Sequence, residues 1–144
     1  MTTPSKDTVL KAVVEHVLPQ QVPDAEVLSK AGLKRFGLLT DTPIRLPNVI
    51  AYSQEHGALF FIDDGAMDAT RLAELKTWSD AVTCRSVFIS AFQSRKEYAE
   101  QMESQAANTF VWFIDEPKHF VFISGSPDTS AQLLSELMAQ RATA

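Results

Sequence analysis

Asp63 and Asp64 close an apolar run, Ala58-Leu59-Phe60-Phe61-Ile62, and Asn48 opens another, Val49-Ile50-Ala51-Tyr52. Gln54-Glu55-His56-Gly57 separates the two runs with turn chemistry, so together they predict a β-hairpin. A hairpin sets the start of its first strand beside the end of its second. Oxygen donors gathered at that end are what a hard divalent cation such as magnesium needs. A cation held there polarises a phosphoryl oxygen and activates water. The full pattern has an acid after Pro47, an acid at the end of the second strand and a lysine two residues later. Here Asn48 stands at the first place and Gly65 at the third. An amide oxygen can coordinate but carries no charge.

Adjacent side chains on a strand point to opposite faces, so one of Asp63 and Asp64 faces any such site. The bland alternative is a strand ending in polar residues, with Asp64-Gly65 as a turn. Glu15 is a third candidate carboxylate, carried on a helix, and its alternative is a solvated face. Lys30, Lys34 and Arg35 are candidate phosphate contacts or a solvated cationic patch. His16, His56 and His119 lack metal-ligand spacing. No Ser-His-Asp arrangement can be read from order alone, and five glycines spread singly form no phosphate-cradling loop.

The elements that must position these residues follow from hydrophobic periodicity. Val9, Leu10, Val13, Val14, Val17 and Leu18 predict a helix over Thr8 to Leu18, capped by Ser5 or Asp7 and ended by Pro19. Ala25 to Leu28 reads as a short strand, and Ser29 to Thr40 has no clear period because Gly32 and Gly37 interrupt it. After the hairpin, Asp68 to Trp78 reads as a helix and Cys84 to Ala91 as a strand, with Cys84 in the core. Ser94 caps a helix through Ser104, with Glu97 at the capping-box spacing. Thr109 to Ile114 and His119 to Ser124 form a strand pair about Asp115-Glu116-Pro117. Asp128 starts a last helix through Gln140, with Leu133, Leu134, Leu137 and Met138 on one side. Both faces of the Thr109–Ile114 strand are apolar, and a face left uncovered would be a partner surface.

The chain has 144 residues, enough for one domain with a single core. No apolar run approaches a membrane span of about 20 residues, and Met1 to Asp7 lacks the charged and apolar regions expected of a signal peptide. One cysteine excludes an intrachain disulfide, and a cytoplasmic location is the default. A net charge of −5 counts against tight nonspecific binding to nucleic acid, which is driven by phosphate neutralisation.

From Val9 to Gly125 the chain resembles the catalytic domain of the BsuBI/PstI restriction endonucleases, of the PD-(D/E)xK superfamily. Leu46-Pro47-Asn48-Val49-Ile50 is similar to that family's Pro-Asp-Val-Val strand, and Leu59-Phe60-Phe61-Ile62-Asp63 to its Leu-Leu-Ile-Glu strand. Val13-Val14-Glu15 with Pro19, then Pro23 to Leu28, resembles its opening helix and first strand. Leu72-Ala73-Glu74-Leu75 falls where the family has a similar helix. Val87 to Phe92 with Arg95 is similar to its Val-Thr-Ala-Phe…Asp-Arg segment. Val111 to Ile114 with Asp115-Glu116-Pro117-Lys118-His119 resembles its Val-Trp…Asp-x-Pro-x-His run.

The resemblance implies a restriction-endonuclease core, magnesium-dependent cleavage of duplex DNA and a bacterial defence role. The chain departs from the family around the site. Asn48 replaces an aspartate and Asp63 a glutamate. Gly65-Ala66-Met67-Asp68 replaces a Thr-Ser-His-Gly-Pro run, and Lys30 to Lys34 lacks the acids of a Gly-Asp-Thr-Gly-Asp-Lys stretch.

The expected fold is α/β: one domain over residues 1–144, core about 7–140, a restriction-endonuclease-like mixed sheet flanked by helices, without a separate specificity domain. The expected function is a diverged, catalytically impaired nuclease-fold protein of a bacterial or phage defence system, acting as a subunit or regulator. One alternative is an active magnesium-dependent nuclease of DNA or RNA using Asp63, Glu15, and Asn48 or Asp64, with Asp63 and Glu15 as metal ligands. The other is an immunity or adaptor module. The expected partner is a protein of a defence complex or a second copy of the chain, with nucleic acid a weaker expectation and no membrane.

Overall fold

The computed structural model describes residues 6–125 and 127–143. The chain opens with α1 (Lys6–Ala12), a π turn (Val13–Val17) and α2 (Leu18–Gln21). The helix does not end at Pro19 as the sequence predicts. Leu18 N–H donates to the Val13 carbonyl, a bond spanning five residues, and α2 restarts with the proline in its first turn. The wider π turn accommodates a residue that has no N–H and would otherwise crowd the preceding turn. Of the two candidate caps, Asp7 lies within α1, and Ser5 is outside the described residues.

Strand β1 (Glu26–Val27) is the predicted Ala25–Leu28 strand in shortened form. The segment without a period resolves into α3 (Lys30–Leu33) and one 3₁₀ turn (Lys34–Phe36). Ser29 Oγ accepts from Gly32 N–H at the start. Gly37 ends it in the left-handed region at φ 78°, which a residue with Cβ adopts only with strain.

The hairpin is formed by β2 (Val49–Ser53) and β3 (Ala58–Asp64), antiparallel, with Val49 opposite Ile62 and Ser53 opposite Ala58. Then follow α4 (Ala69–Trp78), β4 (Arg85–Phe92), α5 (Arg95–Gln101), β5 (Thr109–Phe113), β6 (Phe120–Ile123) and α6 (Pro127–Thr143). Asp68 caps α4 by accepting from Arg71 N–H at 2.7 Å, and Ser94 caps α5 by accepting from Glu97 N–H.

The described strands form one mixed sheet in the order β1-β2-β3-β4-β5-β6. The pairs β3–β4 and β4–β5 are parallel and the others antiparallel. Helices on the faces of a mixed sheet make the fold α/β, as the alternation of elements predicts.

Alternation along β3 divides the core. Ala58, Phe60 and Ile62 face Val13, Val17 and Leu18 of the first helical segment. Leu59 and Phe61 face Leu72 and Leu75 of α4, with Phe88 and Met67. Phe92, Val111 and Phe113 extend this second layer under Tyr98 of α5. The continuous apolar run of β3 is thus a strand covered on both sides.

The far end of the sheet is less covered. The Phe110 ring meets those of Phe120 and Phe122, and the latter two are exposed. On α6 the stripe Leu133, Leu134, Leu137 and Met138 is 46–62% exposed.

Candidate site at the strand ends

β3 and β4 run in parallel, so the carboxyl ends of both strands share one rim of the sheet. Asp63 and Asp64 arrive there on β3. Gly65 then turns the chain at φ 87°, its N–H donating to the Ala91 carbonyl. That backbone is left-handed, so a lysine side chain at position 65 would be strained as well as absent.

Asp63 is 1% exposed and lies on the α4 side, continuing the row of Leu59 and Phe61. Its carboxylate is held by arginine. Arg71 Nε donates to Oδ2 at 2.8 Å and Nη2 to Oδ1 at 3.2 Å. Arg45 Nη2 stands 3.5 Å from Oδ2. The remaining Arg71 nitrogen, Nη1, donates to the Arg45 carbonyl. The helix cap explains how Arg71 reaches this position. Asp68 fixes the first turn of α4, and Arg71, Leu75 and Trp78 then fall at i, i+4, i+7 on the inward stripe.

Asn48 does not extend its amide oxygen toward Asp63. Oδ1 accepts from the Asp64 backbone N–H at 3.0 Å, which ties the start of β2 to the end of β3. Asp64 continues the row of Ile62, on the other side of the sheet. Glu15 sits in the π turn, whose Val13 and Val17 pack on that same other side. Its half-exposed carboxylate lies near Lys11 at 4.0 Å and His16 at 3.9 Å.

Asp63 and Glu15, expected to share one ion, therefore lie on opposite faces of the sheet. The helical period showed that Glu15 was off the apolar stripe but not which sheet face the helix would cover. With Arg71 in place, the donor set at Asp63 does not fit a divalent ion. Both Asp63 oxygens already accept charged hydrogen bonds, the Asn48 oxygen is engaged by backbone, and Glu15 is on the wrong face.

Arg71 and Arg45 were not expected at this site. A signal was present for Arg71, because an arginine occupies a position on the otherwise apolar stripe of a helix. Gln105 was missed as well. It joins Ser90 and Thr109 by Nε2 donation at 3.0 and 2.9 Å, and its Oε1 accepts from Met67 N–H.

Three residues quoted for the family resemblance do converge. Arg95 donates to both Glu116 oxygens at 2.6 and 3.0 Å, and its Nη2 lies 3.3 Å from His119 Nδ1. All three are at least partly exposed, so the cluster links α5 to the β5–β6 turn at modest energetic gain. Lys34 and Arg35 form the 3₁₀ turn, where Arg35 faces Glu26 at 3.8 Å and its guanidinium overlies Phe36.

Among the described residues, one set of three potential ligands lies within 4.8 Å: Asp24, Glu55 and His56, all exposed, at the opposite end of the hairpin. Here Asp24 serves the turn. It accepts from Ser53 Oγ at 2.7 Å and from Glu55 N–H at 3.0 Å. The Glu55 N–H, then the Ser53 hydroxyl, hold its carboxyl below the ordinary 3.8. A folded-state value below the unfolded one stabilises the fold above the unfolded value and loses that contribution as pH falls through the folded one. Asp24→Asn should therefore flatten the loss of stability below about pH 4, measured by urea denaturation across acid pH.

The sequence model of the BsuBI/PstI restriction endonuclease domain matches residues 1–126. The chain belongs to that family. It is similar to the type II restriction enzyme BsuBI of Bacillus subtilis, 26% identical over 132 residues that cover 81% of this chain and 42% of that enzyme. The structure of SdaI restriction endonuclease has the same fold, with a TM-score of 0.75 at 23% identity, over 87% of this chain and 44% of that one. The chain thus spans less than half the length of either. The family match ends at residue 126, so α6 lies beyond it. No helix among the described residues is long and apolar enough to cross a membrane.

Proposed function

We propose that this restriction-endonuclease domain does not cut, and acts as a subunit or regulator of a bacterial or phage defence system. The observation that carries this is the dispersal of the carboxylates. Asp63 and Glu15 are on opposite faces of the sheet, and the acids at 15, 63 and 64 form no set of three converging ligands. Metal-assisted phosphodiester hydrolysis needs an open ion site with acids directed at one point. The missing lysine at Gly65 removes a further group that would stabilise developing negative charge.

The apolar stripe of α6 and the exposed rings of Phe120 and Phe122 support a protein-binding role. Such patches on a small domain mark contact surfaces. The net charge of −5 favours a protein partner over duplex DNA.

The test is incubation of the purified protein with plasmid and with RNA, in magnesium and in manganese, beside an Asp63→Ala control. No cleavage above that control is expected. Cleavage by the wild type that disappears in Asp63→Ala would overturn the proposal in favour of an active metal-dependent nuclease.

A further inference from the structure

Asp63 closes the run from Leu59 that resembles the family's acid-bearing strand, and it is buried. A carboxylate in that position needs a compensating charge, because burying it unpaired is costly. We propose that the guanidinium of Arg71 has taken the place of the divalent ion, as a tethered counter-ion resident at Asp63. This rests on the assignment of Asp63 to the family's acid position.

The geometry is that of a filled site. Two guanidinium nitrogens face the two carboxylate oxygens at 2.8 and 3.2 Å, the fork arrangement that gives strong charge-assisted pairs. The third nitrogen is bonded to the Arg45 carbonyl, and Glu74 Oε2 lies 4.0 Å from it. The Arg71 side chain is 10% exposed. Its backbone is fixed by the Asp68 cap one turn of helix away. An incoming ion would have to break both charged bonds and leave a guanidinium buried without its partner. A guanidinium cannot escape that penalty by losing its proton.

The arrangement also explains why the strand end keeps an acid when the rest of the ion site has gone. Asp63 now joins the hairpin to α4, and Arg71 bridges from α4 to the segment before β2 through the Arg45 carbonyl. An acid that once needed an ion has become half of an internal pair.

The test is thermal denaturation with and without millimolar manganese for the wild type, Asp63→Asn, Arg71→Met and the double variant Asp63→Asn/Arg71→Met. Ligands that bind only the folded state raise its midpoint. The wild type should not shift. Arg71→Met should melt lower and regain part of the loss with manganese, and the double variant should return toward the wild-type midpoint with no response to manganese. If Arg71→Met does not fold without metal, refolding yield with manganese replaces its melting curve, and recovery is expected. Manganese stabilisation of the wild type that is lost in Asp63→Asn would overturn the proposal, as would an Arg71→Met protein indifferent to manganese. Metal-dependent cleavage that survives in Asp63→Asn would instead overturn the proposed function and leave this inference standing.

Discussion

Replacing Arg71 with alanine is expected to lower folding stability by about 3–5 kcal/mol, the usual consequence of removing one partner of a buried ion pair. The substitution leaves the Asp63 carboxylate in a site that is 1% exposed, without its two close donors. It also strands the Arg45 carbonyl, which accepts from Arg71 Nη1. Arg45 offers only partial compensation, because its nearest nitrogen is 3.5 Å from Asp63 and its side chain is half exposed. Set against a typical domain stability of about 5–15 kcal/mol, such a loss removes much of the margin. Urea denaturation followed by Trp78 and Trp112 fluorescence measures it. By contrast Arg45→Ala, at an exposed and longer contact, is expected to cost about 1 kcal/mol or less.

Phe61→Ala is the second large effect expected, again about 3–5 kcal/mol. Phe61 is fully buried in the centre of β3, stacked with Phe88 at 5.4 Å between centroids and edge-on to Trp78 at 5.8 Å. Removing the ring opens a cavity between the sheet and α4, where Leu59, Leu72 and Leu75 are also buried. Aromatic pairs of this kind add about 0.5–1.5 kcal/mol each beyond the area they bury. The same denaturation assay applies, and the loss of Trp78 contact should also alter the folded-state fluorescence. A loss below 1 kcal/mol would show that this layer is not the packed core described above.

Much of the sheet was legible in the sequence because its signals are local. The hairpin from Val49 to Asp64 followed from two apolar runs and a turn, and β4 and β5 from similar runs. The family resemblance rested on the order of these fragments, and its span, Val9 to Gly125, agrees with the matched residues 1–126. What was not legible depended on packing. A period of 3.6 residues marks the buried side of the first helix, yet nothing in it says which sheet face that side will cover. That choice separated Glu15 from Asp63. Pro19 read as a stop signal, and only the π turn before it shows how the helix continues.

Arg71 is the most informative case. It lies eight residues beyond Asp63, across a left-handed turn at Gly65 and a helix start at Asp68, so no simple period joins the two. The carboxylates at the hairpin end point to a metal, because a hard cation requires oxygen donors. The partner that the fold supplied is a cation. Its signal in the sequence is an arginine on the same stripe as Leu75 and Trp78.

The most direct test is a double-mutant cycle between Asp63 and Arg71, using Asp63→Asn, Arg71→Met and the pair combined, with stability from urea denaturation in the absence of divalent ions. Substitutions at contacting charged residues are non-additive by up to about 3 kcal/mol. Strong coupling is expected, with the double variant clearly more stable than Arg71→Met because neither buried charge is left alone. Additive losses, with the double variant the least stable of the four, would contradict it.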